Sequence, residues 1–310
     1  MKTELITVIS LAYNTSFRTI QSIESVRKQS AKIKHIIVDD CSTDNTPNLI
    51  QKWIEEHHYD CTFIKNESNL GINKSLNKAL KLVQTKYVAP LGDDILLTNK
   101  LENDLSKFES LQDDYAVLFS NVNEVNEKNE SISKLSYLEK NVSFYPNIPT
   151  GNIYQDILDV NFILAPTAVI KTEAIKNIGG YDENLYFEDW DMWLRLSQKG
   201  YKFHFDDRID TNYVRISSSI MGQGISPKYA ICILETIYKH VNAFEGANDI
   251  ILRKLKKFTE KIHIAKHPDT ALWYKRILEL EPNAKNKWCY RLAKLKFPYK
   301  MALPIANKLG

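Results

Sequence analysis

Cysteine is scarce. The chain has four in 310 residues, Cys41, Cys61, Cys232 and Cys289. They form no Cys-x-x-Cys pair, which argues against a disulfide framework or structural zinc and fits a reducing compartment. No apolar run is long enough to span a bilayer. Met1 to Ser10 lacks the basic start, long apolar centre and small-residue cleavage site of a signal peptide. The expectation is a protein neither exported by that route nor integral to the membrane. No recognised nucleic-acid motif accompanies the basic residues, so no nucleic-acid partner is expected. What is present, 44% hydrophobic and 25% charged residues, is ordinary for a globular chain with one large core, or one core and an appendage.

The net charge of +3 conceals an asymmetry. Ile251 to Gly310 carries 15 Lys and Arg against 4 Asp and Glu, net +11, which leaves 26 against 34, net −8, for the rest. From Pro227 onward helical spacing dominates. Within Lys285 to Lys296, Trp288, Leu292 and Leu295 share one face flanked by Lys287, Arg291 and Lys294. An interfacial membrane helix has this pattern, and so does a helix packed on its own domain with a solvated basic edge.

The body reads as strands alternating with helices. Leu5 to Leu11 is β-rich and precedes Tyr13-Asn14, after which Phe17, Ile20, Ile23 and Val26 recur at helical spacing. Ile36-Ile37-Val38 runs into Asp39-Asp40 and a helix with Leu49, Ile50, Trp53 and Ile54. Thr62-Phe63-Ile64 is followed by Asn69-Leu70-Gly71 and a helix with Ile72, Leu76, Ala79, Leu80 and Val83. The apolar run Lys86 to Leu91 stops at Gly92-Asp93-Asp94. This alternation predicts a parallel sheet with right-handed crossovers, so the loops after Leu11, Val38 and Leu91 should emerge on one edge, where open α/β sheets bind ligands. Tyr13, Asp39, Asp40, Asp93 and Asp94 would meet there. Adjacent carboxylates suit a hard divalent cation and a diphosphate, although Asp93 and Asp94 alone also suit a helix cap or a solvated turn.

Beyond a helix through Leu101 and Phe108 and a strand at Ala116 to Phe119, Asn121 to Thr150 is polar and reads mostly as loops. Ala165 to Ile170 resumes a strand, and Glu173 to Ile178 a short helix ended by Gly179-Gly180. Glu188 and Asp189 then open a helix on which Trp190, Trp193, Leu194 and Ser197 share the inward face and Asp191 can pair with Arg195. Acid at a helix start also complements the dipole without any catalytic role.

Taken together, these stretches resemble the family 2 inverting glycosyltransferases of the GT-A fold. The matching residues are Val8 to Asn14, Val38 to Thr46, Asn69-Leu70-Gly71 with Asn77, Leu91 to Asp94, Gly179 to Asp182 and Glu188 to Asp191, in the family's order. The resemblance implies an α/β fold with a Rossmann-like, mostly parallel sheet flanked by helices and an α-helical C-terminal appendage. The expected catalytic domain is 1–225, with a nucleotide-sugar half at about 1–120 and an acceptor half at about 121–225; the basic helical region is 226–310.

Carried over by position, the resemblance places Tyr13 and Asp40 at the nucleotide base with Asp39 beside them. Asn14, Asn69 and Gly71 fall on the donor side, and Asp93 and Asp94 at the metal and diphosphate, with Asp94 the direct ligand of Mn²⁺ or Mg²⁺. Asp189 matches the general base, and Glu188, Trp190 and Asp191 lie on the acceptor side. The implied reaction moves a sugar from a nucleoside-diphosphate sugar, taken as uridine-linked, to a hydroxyl of a glycan or lipid-linked glycan by a single inverting displacement. A cytoplasmic location is expected, with the basic region on an anionic membrane surface at the inner face. Two departures stand out: Tyr213-Val214-Arg215-Ile216-Ser217 lacks the family's usual His, and Leu76 replaces an Arg that often precedes Asn77. The competing readings are a nucleotidyltransferase and a non-catalytic sugar-nucleotide binder or membrane scaffold.

Overall fold

A computed structural model of the chain describes residues 5–216 and 225–309. It divides into two compact units, Met1–Ile216 and Ser217–Gly310. The first unit is built on β1 (Ile6–Ala12), β2 (Ile33–Asp39), β3 (Thr62–Lys65) and β4 (Tyr87–Leu91), linked by α1 (Ser16–Arg27), α2 (Thr46–His57) and α3 (Ile72–Leu80). These four strands are parallel, in the order β3-β2-β1-β4, with Leu11 opposite Val38 and Ser10 opposite Leu91. β4 and β1, the latter apolar apart from the buried Thr7 and Ser10, are therefore covered on both faces. Helix α1 joins two apolar clusters, Val26 packing in the same cluster as Val8, Tyr87 and Leu101, and Ile23 with Ile37, Ile50 and Trp53.

The sheet continues as β5 (Ile95–Leu96), β6 (Tyr115–Val125), β7 (Val169–Lys171) and β8 (Lys202–Val214), giving the full order β3-β2-β1-β4-β7-β6-β8-β5. It is mixed, because β7 lies antiparallel between β4 and β6, and β5 is antiparallel to β8. Helices α4 (Lys100–Ser110), α5 (Tyr137–Asn141), α6 (Tyr154–Asp159), α7 (Thr172–Asn177) and α8 (Asp189–Gln198) complete the unit.

Three local expectations change. The strand expected at Ala165 to Ile170 is a 3-10 turn over Ala165–Thr167 followed by β7; Pro166 supplies no N–H, and Thr167 N and Ala168 N donate back to Leu164 O and Ala165 O. The stretch expected to be loop from Asn121 begins as strand, since β6 runs to Val125 alongside β8 with irregular register near Ser120 and Asn121. Strand β8 itself, rich in charge, was not anticipated.

The second unit is helical, as its spacing implied: α9 (Pro227–Tyr238), α10 (Ala247–Ile264), α11 (Thr270–Leu280), α12 (Ala284–Lys294) and α13 (Tyr299–Leu309). Ser226 Oγ accepts from Tyr229 N to cap α9, and Asn283 Oδ1 accepts from Asn286 N to cap α12. Ile233, Ile237, Leu255, Ile262, Trp273 and Ile277 fill its core. Of the apolar face expected on Lys285 to Lys296, Leu292 is buried and Trp288 half-buried, so α12 packs within its unit. Leu295 lies beyond the helix end and is exposed.

Candidate active site

Strand β1 lies at a topological switch point, with β2 and β3 on one side and β4 on the other, so the loops after β1, β2 and β4 open at one mouth. Tyr13 stands there 45% exposed. Asn14, in the left-handed region at φ 52°, accepts from Thr43 N through Oδ1 at 2.8 Å, while its own N–H donates to Ser42 Oγ at 2.9 Å. It braces one mouth loop on the other. Asp39 is buried; its Oδ2 accepts from Ser42 N at 3.0 Å, whereas its Oδ1 is buried without a hydrogen-bond partner. A buried, unpartnered acceptor at a ligand mouth is a vacancy for an N–H group.

Asp40 behaves differently. Its Oδ1 accepts from Asn66 Nδ2, Leu70 N and Ser75 Oγ, and its Oδ2 from Gly71 N, all at 2.8–2.9 Å. The side chain expected at the nucleotide base is thus committed to holding the start of α3. Gly71 takes φ 82°, which turns its N–H toward that carboxylate, and Asn69 is exposed on the same loop.

Asp93 and Asp94 follow β4. Arg18 Nε donates to Asp93 Oδ2 at 2.8 Å while its Nη1 lies 3.2 Å from Glu127, so α1 offers Asp93 a cation that it shares. Asp94 is buried, and its Oδ1 accepts from Val214 N at 2.8 Å, a bond that exists because β5 pairs with β8 immediately beyond it. Burial, and then the charge of Asp93, push the Asp94 carboxyl up to about 8. Among the described residues, no three His, Cys, Asp or Glu side chains gather as a metal cluster. A desolvated carboxylate with one neighbouring acid nevertheless fits Mg²⁺ or Mn²⁺ of the kind held by one or two carboxylates and completed by substrate phosphates.

Helix α3 carries the link to the opposite wall. Asn77 Nδ2 donates to Tyr181 O and its Oδ1 accepts from Tyr181 N, both at 2.9 Å; one turn earlier, Asn73 Nδ2 donates to Asp182 O and Leu185 O. Arg195 closes the same loop from the other side, pairing with Asp191 at 2.6 Å and donating to Ile178 O and Gly180 O at 2.8 Å. The pairing of Asp191 with Arg195 confirms the spacing read from the sequence. It also makes Asp191, expected on the acceptor side, an interior group. Trp190 is interior too, donating from Nε1 to Ile157 O at 2.7 Å.

The loop so gripped delivers Glu188 and Asp189 to the head of α8. Asp189 Oδ1 accepts from Trp190 N, and Oδ2 from Asn161 Nδ2 at 3.4 Å. Burial raises both carboxyls above the ordinary carboxylate range, and Glu188 also faces the charge of Asp189.

The stretch Tyr213 to Arg215, marked in the sequence only for the His it lacks, supplies further groups near these acids. Tyr213 precedes the Val214 amide that holds Asp94, and the charges of both Asp94 and Asp189 reach its hydroxyl. Arg215, whose charge reaches Asp94, lies 5.0 Å from the Tyr213 ring and 5.7 Å from the Tyr137 ring, and its Nε pairs with the buried Glu124. Arg215 thus sets a guanidinium beside Tyr213, whose hydroxyl feels both Asp94 and Asp189. The missing family His would fall at Ser217, outside the described residues. Leu76, in place of the family's Arg, is buried.

Residues 7–179 match the family model for glycosyl transferase family 2, more than half of the chain. The chain belongs to this family. Among the glycosyl transferase family 2 relatives, the chain is 32% identical over 213 residues to an Escherichia coli enzyme, UDP-Glc:alpha-D-GlcNAc-diphosphoundecaprenol beta-1,3-glucosyltransferase WfaP, covering 68% of this chain and 77% of that protein. The fold resembles S. aureus TarS 1-349 in complex with UDP-GlcNAc, with a TM-score of 0.67, 18% identity and coverage of 98% and 92%; the match spans 55% of the longer TarS chain. It also resembles the mannosyltransferase PcManGT of Pyrobaculum calidifontis in complex with GDP-Man and Mn²⁺, with a TM-score of 0.58, 15% identity and coverage of 98% and 84%. The family 2 chain thus has the mixed, helix-flanked sheet of GT-A-type neighbours followed by a helical C-terminal region, and it is a glycosyltransferase. No helix among the described residues is long and apolar enough to cross a membrane.

Proposed function

We propose that the chain is an inverting glycosyltransferase that moves a sugar from a uridine-diphosphate donor to a hydroxyl of a lipid-linked glycan. The observation that carries the reading is that α3, whose start is held by Asp40 at the mouth, grips through Asn73 and Asn77 the loop that leads to Asp189, so the donor-side and acceptor-side acids are tied to one framework. Tyr13 offers a face for the base, and Asp39 Oδ1 a single vacant acceptor. Uracil brings one ring N–H, which matches that vacancy. Guanine brings two donors to the same edge, and Asp39 Oδ2 is already taken by Ser42 N. Asp39 therefore takes the base contact, while Asp40 shapes the loop beneath it. The WfaP name, with its UDP-glucose donor and diphosphoundecaprenol acceptor, and the TarS complex with UDP-GlcNAc support the same donor and acceptor classes.

Asp94, with Asp93, would hold a divalent cation, which when bound offsets charge on the departing diphosphate. Arg215 adds positive charge on that side. Asp189 takes the proton from the acceptor hydroxyl as its oxygen attacks the anomeric carbon from the face opposite the nucleotide, and a single displacement inverts that centre. Asn161 and Trp190 N hold the carboxylate in place during the transfer.

Nucleotide release from uridine, guanosine and thymidine diphosphate sugars, with and without Mg²⁺, tests the reading on a polyprenyl-diphosphate sugar acceptor, with product configuration read by NMR. Uridine-dependent release with inversion is expected. Donor binding without release would favour a non-catalytic binder; pyrophosphate release from a nucleoside triphosphate plus a sugar 1-phosphate, with none of the diphosphate sugars turned over, would favour a nucleotidyltransferase; and retained configuration would remove Asp189 from its role as base in a single displacement.

A further inference from the structure

In the helical unit α10, α11, α12 and α13 follow one another through short turns at 265–269, 281–283 and 295–298, and each packs on the next. The first and last turns lie at the same end. His263 ties them together, its ring nitrogens lying 3.2 Å from the Tyr274 hydroxyl on α11 and 2.7 Å from Phe297 O, with the Tyr299 ring 5.3 Å away. Ile264, Leu272, Leu295 and Met301 all fall at this end, exposed by 57%, 45%, 75% and 57%. They are four of the five large apolar side chains exposed in the described part of the unit, Ile225 being the fifth. One exposed aliphatic group needs no explanation, but four gathered on one end do.

Charge surrounds them. Lys261, Lys266, Lys294, Lys296 and Lys300 are exposed on the same turns and adjoining helix ends. The acids there are Glu260 and Asp269, and Asp269 faces His267 at 3.7 Å. Exposed apolar and ammonium groups together at one end of the unit complement a surface that is anionic outside and apolar just beneath, which describes a bilayer of acidic phospholipid. The buried face of α12 does not contribute; the helix ends and turns do.

We propose that this end of the helical unit docks on an anionic phospholipid bilayer, with Ile264, Leu272, Leu295 and Met301 entering the headgroup boundary and the lysines lying among the phosphates. The inference deepens the proposed reading, in which the acceptor is carried on lipid, and rests on that reading only for its use.

Co-sedimentation of the full chain with vesicles tests it, in the absence of donor and acceptor. Wild type should bind vesicles of equal parts phosphatidylcholine and phosphatidylglycerol, and phosphatidylcholine alone roughly tenfold less, with binding weakened by salt within the Debye regime. The L295D/M301D variant should lose at least about tenfold on the anionic vesicles, and K266Q/K296Q/K300Q should lose binding together with its salt dependence. L82D, which alters an equally exposed side chain of the first unit, should bind as wild type. All the substituted side chains are exposed, so unchanged thermal unfolding is expected and is checked alongside. Equal binding by wild type and L295D/M301D overturns the proposal. So does the absence of vesicle binding by a wild type that self-associates while L295D/M301D stays monomeric, because the face then joins two copies. Nucleotide release measured on the same variants in solution should not change, so a failure of docking is distinguishable from a failure of glycosyl transfer.

Discussion

A Cβ on Gly180 would lie 2.5 Å from Oδ1 of Asn77, the atom that accepts from Tyr181 N. The glycine is required twice, by that approach and by its φ of 77°. Through this contact α3, itself held by Asp40, fixes the loop that carries Asp189.

Gly180→Ala should therefore destabilise the protein by about 2–4 kcal/mol, combining the left-handed backbone penalty with disturbed Asn77 hydrogen bonds. Gly179→Ala, at φ 83° with open space where the Cβ would sit, should lose only about 1–2 kcal/mol. In an Asn77→Ala background the penalty at residue 180 should shrink toward that of residue 179, since the two sites are in contact and not additive. Urea unfolding of the four variants gives the comparison; equal losses at 179 and 180 would show that the Asn77 contact is unimportant.

Asp189→Asn should retain donor binding and lose roughly 10² to 10⁴ in transfer rate, the usual range for removing a general base. Burial holds the Asp189 carboxyl above the ordinary carboxylate range. Transfer should accordingly rise with pH through that raised value. Asn161 donates to Oδ2 and so favours the ionised form; Asn161→Ala should move the acidic limb of kcat/KM to higher pH. A limb that stays in place while the rate falls would reduce Asn161 to a packing role.

The parallel half of the sheet was legible because β1, β2 and β4 are buried apolar runs. Strand β8 was not, because Lys202, His204, Asp206, Arg208 and Asp210 break up its apolar pattern. Their charges are accommodated by partners distant in sequence: Lys100, 1% exposed, meets Asp104 at 2.8 Å and Asp210 at 3.3 Å, and Arg208 meets Asp104 at 2.8 Å. The polar residues recur at the two-residue strand period, but Asp207 interrupts the apolar face of Phe203, Phe205 and Ile209, and the partners that accommodate the buried charges are distant in sequence. The acids at strand ends and helix starts were legible for the same reason that β1 was, since each interrupts an apolar run. Glu124 on β6, Tyr137 at the start of α5 and Asn161 after α6 were not, as single polar residues in a stretch of irregular pattern acquire partners only through tertiary contacts with Arg215 and Asp189. The distinction between Asp39 and Asp40 likewise needed coordinates, because adjacent residues of one type point in opposite directions at the end of a strand.

His35 supplies a stability prediction. It is buried on β2 between Ser10 Oγ at 2.8 Å and the Tyr59 hydroxyl at 3.1 Å, and burial lowers its pKa from 6.5 to about 3. Below 6.5 the unfolded chain binds the proton and the folded one does not, so this group's contribution is complete above 6.5 and is lost as pH falls toward 3, at about 1.4 kcal/mol per pH unit. His35→Gln should be less stable at neutral pH yet show a shallower decline between pH 6 and 4. Parallel declines in denaturant titrations of the two proteins would assign the acid sensitivity elsewhere.

Protonation of Asp94 competes with the cation proposed for it. A carboxylate must lose its proton before it ligates a metal, and burial together with Asp93 holds that proton until about pH 8. The Mg²⁺ concentration giving half-maximal donor turnover should thus fall roughly tenfold per pH unit as pH rises toward 8, then level off. Two neighbours set the position of that break. The charge of Arg215 lowers the Asp94 value, so Arg215→Gln should move the break to higher pH; the charge of Asp93 raises it, so Asp93→Asn should move it lower, even if the altered ligand weakens Mg²⁺ at every pH. The opposite directions separate an electrostatic effect on Asp94 from general damage to the mouth, which would depress turnover without moving the break. Asp94→Ala should abolish the Mg²⁺ response in a protein that still unfolds cooperatively, and a Mg²⁺ response that survives in this variant would place the cation on other groups.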